Sequence, residues 1–393
     1  VTAAGPRTVF LIAAEESGDR LGAGLMRALR DKLGDGVRFV GIGGRHMAEQ
    51  GLASLFPIAE LSIIGLAAIP KRLPMILRRI REATEAVLRE RPDALVIIDS
   101  PDFTHRVARR VRARAPAIPI VDYVSPTVWV WRPGRARRMR AYVDRLLAVL
   151  PFEPEVHRKL GGPPCVYVGH PLLEHRDALR PDAAELARRA EEPPLLLVLP
   201  GSRRSEIGRN MAAFGETLRL LKAEGVTFEA VLPTVPDLLE SVRAAAAGWP
   251  VPAKVVVSED EKLAAFRAAR AALAKSGTVT LELALAGVPM VTAYRVTAPE
   301  AFIARRVIRT SSIILVNLIL GENVIPEFLQ ENFTPEKLAP ALRAVLADTP
   351  ARQRQLEAFA RLDDIMSTGG HRPSELAADA VIAMLRPPDS ARS

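Results

Sequence analysis

Two trains of short apolar runs, each run trailed by a stretch of helical length, constrain this chain more than any other feature. In the first train, Val9–Ala13, Arg38–Ile42, Ala94–Ile98, Ile118–Val124 and Leu146–Leu150 have the length of strands, and Leu21–Leu33, Met75–Arg89, Phe103–Arg114 and Pro133–Tyr142 that of helices. Gly34, Gly36, Pro92 and Pro116 supply the stops. After a charged interval at 170–193 the alternation restarts, with strands at Leu195–Leu199, Phe228–Leu232, Lys254–Val257, Ala271–Ala274 and Pro289–Ala293. Helices are expected near Arg209–Glu224, Leu238–Ala247, Glu261–Ala269 and Thr280–Ala286. Such repetition predicts an α/β protein of two doubly wound halves, each a mainly parallel sheet with helices on both faces, and a cleft between them. The end of the chain reads as helical, at Pro335–Leu346, Arg352–Ile365 and Pro373–Leu385, and Pro387–Ser393 as a disordered tail.

Composition narrows the class. The 393 residues, 49% apolar and 25% charged, suit two large domains that fold in water. The apolar runs stop short of the roughly 20 residues that span a bilayer, and Val9–Ala14 meets Glu15 and Glu16 at once, unlike a secretory core. One cysteine, Cys165, and six scattered histidines offer neither a disulfide nor a metal cage, so no metal is expected. A net charge of +9 favours polyanionic partners: nucleic acid, an acidic membrane or a phosphorylated substrate.

Ligands of such sheets gather beyond the carboxyl ends of strands. The first strand leads into Glu15, Glu16, Ser17 and Gly18, without the GxGxxG of a dinucleotide site. Two carboxylates there would repel a pyrophosphate, so these residues are expected to face the hydroxyls of a sugar or lipid headgroup. Asp99, after Val96-Ile97-Ile98, is the catalytic candidate, because partial desolvation raises a carboxylate toward a useful base. Asp102 is expected to cap the helix that follows. Ser125 and Trp129 lie in a loop that also holds Trp131 and precedes Arg135, Arg137, Arg138 and Arg140, a combination suited to sugar packing, interfacial lipid or base stacking. Ile63, Ile64, Leu66, Ile69, Met75 and Ile76 stand beside Arg72, Arg78 and Arg79; anionic lipid would satisfy both sets, while a sheet-packing helix explains only the apolar one.

In the second half, Pro200-Gly201-Ser202-Arg203-Arg204-Ser205-Glu206 is a tight turn between a strand and a helix. Free N–H groups at Gly201 and Ser202 and the planar fork of Arg203 fit a diphosphate, with Glu206 placed to orient an arginine. It is not a Walker A loop. Ser276, Gly277 and Thr278 open another helix with room for phosphate, and Glu282 one turn on can accept ribose hydroxyls. Asn317, embedded in aliphatics, must bind either substrate or backbone, and Gln330 poses the same choice. His170, at the domain boundary, reads as a hinge or a substrate contact, and His46, His105, His157, His175 and His371 have no compelling role.

Taken in order, Ala14-Glu15-Glu16-Ser17-Gly18-Asp19, Asp99-Ser100-Pro101-Asp102-Phe103, Tyr123-Val124-Ser125-Pro126-Thr127-Val128-Trp129, Leu150-Pro151-Phe152-Glu153, Pro200-Gly201-Ser202-Arg203, Ser276-Gly277-Thr278 and Asn317-Leu318 resemble the bacterial lipid-A-disaccharide synthases over nearly the whole chain. The resemblance implies a GT-B-like fold, two Rossmann-like domains facing an interdomain cleft, with a helical C-terminal region. It gives residues 1–172, with returning helices at 355–386, to acceptor and lipid, 173–354 to the UDP-sugar, and 387–393 to the tail. The implied activity is that of an inverting glycosyltransferase without cofactor. It would join 2,3-diacylglucosamine from its UDP derivative to the 6-hydroxyl of 2,3-diacylglucosamine 1-phosphate (lipid X), releasing UDP and a β(1→6) disaccharide 1-phosphate of lipid A biosynthesis. Asp99 and Arg203 match the family's required aspartate and arginine, and Glu282 its nucleotide-sugar glutamate. The resemblance also implies peripheral attachment at the anionic cytoplasmic face of the inner membrane, and it admits a homodimer with exchanged C-terminal portions. Ala14 and Arg204 depart from the family's usual Gly and small residue, without removing a functional group. The alternatives are a UDP-sugar 2-epimerase, another GT-B glycosyltransferase, or a basic nucleic-acid- or membrane-binding protein; no nucleic-acid reader element is present.

Overall fold

The computed structural model describes residues 5–61, 69–307, 310 and 312–385, and the chain divides into two compact units. The first comprises Val1–Leu173 and Thr368–Ser393, the second Glu174–Ser367.

In the first unit β1 (Arg7–Ala13), β2 (Val37–Ile42), β3 (Ala94–Ile98), β4 (Ile120–Tyr123), β5 (Arg145–Ala148) and β6 (Cys165–Tyr167) form one parallel sheet, ordered β2-β1-β3-β4-β5-β6. Every residue of β3 is buried, as is β1 from Val9 onward; helices on both faces account for their unbroken apolar runs. These helices are α1 (Glu16–Leu33), α2 (Arg45–Glu49), α3 (Ile69–Glu90), α4 (Thr104–Arg114), α5 (Gly134–Met139) and α6 (Glu153–Lys159). Phe10, Ile12, Ile97, Val107 and Leu146 lie in one core cluster, and each contributes about 1.5–3 kcal/mol by leaving water.

The second unit repeats the plan with β7 (Leu195–Leu199), β8 (Glu229–Pro233), β9 (Ala253–Val256), β10 (Ala271–Lys275), β11 (Met290–Tyr294) and β12 (Glu327–Leu329), ordered β12-β11-β10-β7-β8-β9 and again parallel. Its helices are α7 (Arg176–Leu179), α8 (Ala183–Arg188), α9 (Arg204–Ala223), α10 (Leu239–Ala247), α11 (Glu259–Ala268), α12 (Val279–Leu285), α13 (Ala298–Val307), α14 (Leu315–Leu320), α15 (Pro335–Leu346), α16 (Pro350–Ala360) and α17 (Leu362–Ile365). Arg189, buried after α8, ties two of them together. Its guanidinium donates to Phe266 O and Arg267 O at the end of α11 and to Ala286 O and Gly287 O after α12, carbonyls that a helix end leaves without an intrahelical partner.

The chain re-enters the first unit at Thr368, later than the expected 355, because α16 is bound into the second unit. Gln355 exchanges hydrogen bonds of 2.8 and 3.0 Å with the backbone of Met290, and Arg352 donates to Arg270 O and Val345 O. Only α18 (Pro373–Ile382) returns, against α1, with Lys32 Nζ 2.8 Å from Asp379.

Strand order fixes where ligands belong. In the first sheet the winding reverses between β1 and β3, and in the second between β7 and β10. Chains leaving adjacent strands at such a point run to opposite faces and open a crevice at the carboxyl edge.

Candidate active site

The first crevice is bordered by the turn after β1 and the turn after β3. Asp99 and Ser100 both adopt left-handed backbone, φ +52° and +46°, which costs a non-glycine residue about 1–3 kcal/mol unless its surroundings hold it. They are held on several sides. Asp99 N donates to Tyr123 O, Thr104 Oγ1 donates to Asp99 O at 2.7 Å, and Ser100 N donates to Asp99 Oδ1 at 2.7 Å. Ser100 Oγ donates to Glu15 Oε1 at 3.0 Å, bringing the two turns together. Gly18 belongs here because a Cβ on it would lie 3.4 Å from Ile98 O. Burial pushes the Asp99 carboxyl above its ordinary range, and the nearby charges of Glu15 and Asp122 add to the shift; only the Ser100 N–H opposes them. Asp99 is therefore a half-buried carboxylate with a raised proton affinity, as a base for an alcohol requires.

Other residues expected in this region are employed differently. Glu16 pairs with Arg20 on the exposed face of α1, and Ser17 is exposed. Asp102 caps nothing: α4 begins at Thr104, and the Asp102 carboxylate meets Arg135 at 3.3 Å. Ser125 is buried, its hydroxyl 2.8 Å from His157 Nε2 and donating to Pro126 O, so it fixes the loop rather than facing a ligand. Trp129 packs edge-on against Phe152, and its buried indole N–H has no hydrogen-bond partner among the described residues. His170 is buried, with Nδ1 accepting from Leu172 N. The sequence names Asp19 in the Ala14–Asp19 motif without a role for its carboxylate. Asp19 is 1% exposed and accepts from the N–H groups of Gly44, His46 and Met47, capping α2.

Of the apolar and basic stretch, Ile63, Ile64 and Leu66 lie outside the described residues, and of Ile69 and Arg72 only the backbone of α3 is described. Met75 is half-buried and Arg78 exposed. Ile76 and Arg79 are spent inside the unit. Ile76 packs on the core, and Arg79 pairs with Glu60 and Glu82, both at 2.6 Å, over the ring of Phe56.

The second crevice holds a cavity of about 530 Å³ lined by Gly201, Ser202, Arg203, Glu206, Lys262, Lys275, Gly277, Thr278 and Glu282 among others. Glu206 organises its floor. One carboxylate oxygen accepts from Ser202 N at 3.0 Å; the other lies 3.1 Å from both Arg203 Nη1 and Lys275 Nζ. Burial pushes its carboxyl up, but Lys275, the Ser202 N–H and Arg203 outweigh this and hold it below the usual range. The turn needs glycine at 201, where φ is +124° and a Cβ would stand 2.4 Å from Glu206 Oε2. Asn210 Nδ2 donates to Pro200 O. Arg203 keeps 74% of its side chain exposed beside the first turn of α9, free to take an anion. Arg204 turns away, toward Asp237 O, so position separates the two arginines that composition could not.

On the opposite wall Gly277 and Thr278 precede α12, with Thr280 Oγ1 donating to Gly277 O. Glu282 lines the cavity 3.0 Å from Lys262 Nζ, which Glu259 also approaches at 3.2 Å. Ser276 is buried behind the wall. Lys262 and Lys275 are cavity groups that the sequence reading missed, since isolated lysines carry no motif. Of the two roles open to Asn317, substrate or backbone, it takes the backbone and not the UDP-sugar site. Its amide donates to Ile325 O and Glu327 Oε1 and accepts from Val324 N and Ile325 N, so every hydrogen-bonding position is filled by its own loop and none remains for a nucleotide. Gln330 likewise accepts from Val296 N.

Two Rossmann-like units, each a parallel six-stranded sheet with helices, have the architecture of the GT-B glycosyltransferases, and solved structures of that class share it. The glycotransferase of kitacinnamycin matches over 97% of this chain and 100% of its own, with a TM-score of 0.60 at 18% identity. MurG of Acinetobacter baumannii matches over 97% and 99%, with a TM-score of 0.55 at 16% identity. The lipid-A-disaccharide synthetase family model matches residues 9–381, and the chain belongs to that family. A curated relative, the lipid-A-disaccharide synthase of Nitrobacter hamburgensis, is 69% identical over 376 residues, covering 96% of this chain and 95% of the relative. The epimerase alternative is not favoured.

Proposed function

We propose that the protein forms the lipid A disaccharide, transferring 2,3-diacylglucosamine from its UDP derivative to the 6-hydroxyl of lipid X. The observation that carries this reading is Asp99, whose raised proton affinity and strained, over-determined turn at the β1/β3 switch point suit a general base. Asp99 takes the acceptor proton as O6 bonds to the anomeric carbon; the bond from that carbon to the diphosphate breaks, and its electron pair leaves with UDP. A single displacement inverts the configuration. Arg203, the Ser202 turn and the first turn of α9 receive the departing charge, and Glu282 takes the ribose hydroxyls. This arrangement asks for no metal or cofactor.

We further propose peripheral attachment to an anionic inner-membrane surface on its cytoplasmic side, supported by the net charge of +9 and by Leu73 and Arg78, exposed on α3. Among the described residues no helix is long and apolar enough to cross a membrane.

Incubation with UDP-2,3-diacylglucosamine and lipid X should yield equimolar UDP and β(1→6) disaccharide 1-phosphate. Asp99→Asn should keep UDP-sugar affinity and lower turnover by about 10²–10⁴-fold. Near-parental turnover in that variant rejects the base assignment.

A further inference from the structure

Behind the Asp99 turn lies a buried polar chain that the mechanism above does not use. Asp122, in β4, stands in register with Ile97 and is 0% exposed. Its Oδ2 is 3.0 Å from Nε2 of the buried His105, yet neither Asp122 oxygen accepts a hydrogen bond of good geometry among the described residues. His105 Nδ1 lies 3.0 Å from the hydroxyl of Tyr142, and Arg109 covers the Tyr142 ring at 4.9 Å. A carboxylate so buried and so poorly solvated costs several kcal/mol to retain. Replacing such a pair by packed aliphatics is often neutral or stabilising, so stability gives little reason to keep it.

His105 sits beside Thr104, whose hydroxyl donates to both Asp99 O and Ser100 O in the first turn of α4. The contact with Asp122 therefore ties to β4 the same helical turn that holds Asp99 in its left-handed conformation. We propose that His105 and Asp122 form a positioning couple for Asp99, clamping the start of α4 under the base and setting the negative field in which it exchanges its proton. The inference rests on Asp99 being the base. The charged and titratable groups around the couple are consistent with it. Asp99 and Glu153 both feel Asp122 as a like charge, Glu15 adds a second negative charge at Asp99, and Cys165 faces Glu153 and Asp122. Arg109 and Arg135 act on Tyr142 with the sign opposite to that of Asp122.

The test is the pH dependence of kcat/KM in Asp122→Asn, normalised to folded protein. Removing a like charge makes Asp99 easier to ionise and a weaker base, so the acid limb should move to lower pH while the plateau falls. A fold-only role would scale activity equally at every pH, and an unmoved limb overturns the couple. If Asp122→Asn does not fold, Tyr142→Phe carries the test, because it removes only the hydroxyl that holds His105. Its kcat should fall several-fold with KM unchanged for both substrates, and parental kcat in the folded variant overturns the proposal. An inactive Asp99→Asn together with unshifted Asp122 and Tyr142 variants removes the couple and keeps the base; an active Asp99→Asn removes the base itself.

Discussion

Glu153 opens α6 with 1% exposure, and its carboxylate accepts from Leu150 N at 2.9 Å. Burial pushes its carboxyl up to about 8 from 4.5, against the pull of the Leu150 and Val149 N–H groups. His157, one turn on, and His170 are both pushed down to about 4 from 6.5 by burial. The signs oppose. A raised carboxyl gives stability that is fully present below pH 4.5 and is lost as pH rises through 8; a depressed imidazole gives stability present above 6.5 and lost as pH falls through 4. Between pH 7.5 and pH 5, linkage makes Glu153 worth about 3 kcal/mol more at the acid end, while the histidines lose about 2 kcal/mol each. Together the three groups nearly cancel. Glu153→Gln keeps an acceptor for Leu150 N but cannot titrate, so it should expose the histidine loss: the variant should fall in stability by about 3 kcal/mol more than the parent on acidification. Urea unfolding at both pH values in a Trp249→Phe background, followed by the fluorescence of Trp129, which packs on Phe152 next to Glu153, and of Trp131, would read the first unit. Parallel pH dependences in parent and variant would refute a neutral, buried Glu153.

Three further outcomes follow from the second unit. Arg189→Ala should destabilise it by about 3 kcal/mol or more in chemical denaturation, because carbonyls at the end of α11 and after α12 lose their donor in a buried place. Gly201→Ala should weaken UDP binding at least about tenfold by calorimetry, since its Cβ collides with Glu206 and the φ of +124° is strained for alanine; unchanged affinity would mean that the turn is not the diphosphate site. Lys275→Met should lower kcat by about 10–10²-fold, as one of the two cations that hold Glu206 is lost; parental kcat would show that Lys275 leaves the Arg203 turn undisturbed.

Local pattern was enough for the interior strands and the long helices. Ala94–Ile98 and Leu195–Leu199 fall where their apolar runs place them, because a strand covered on both faces must be apolar throughout. Of the edge strands, β2 and β9 lie within a residue of Arg38–Ile42 and Lys254–Val257, but β6 and β12 give no such signal, being three half-buried residues each, and α6 is only about two charged turns after Pro151-Phe152. Helix starts were misjudged by several residues at α1 and α9, since Glu15-Glu16 and Arg203-Arg204 read as ligand turns and proved to be turn and first helical residues at once.

By itself, then, the sequence determined two parallel α/β halves and singled out the turns after their strands, with Asp99 and Arg203 as candidates within them, because periodicity and turn composition act over a few residues. Strand order was decided only in three dimensions, and with it the meeting of the β1 turn with the β3 turn and of the β7 turn with the β10 turn. So were the partners of single polar groups: Asn317 closing its own loop, Lys275 reaching Glu206, His105 facing Asp122. Burial and pairing arise between residues tens of positions apart, and a local pattern records that a polar group is present without recording what it meets.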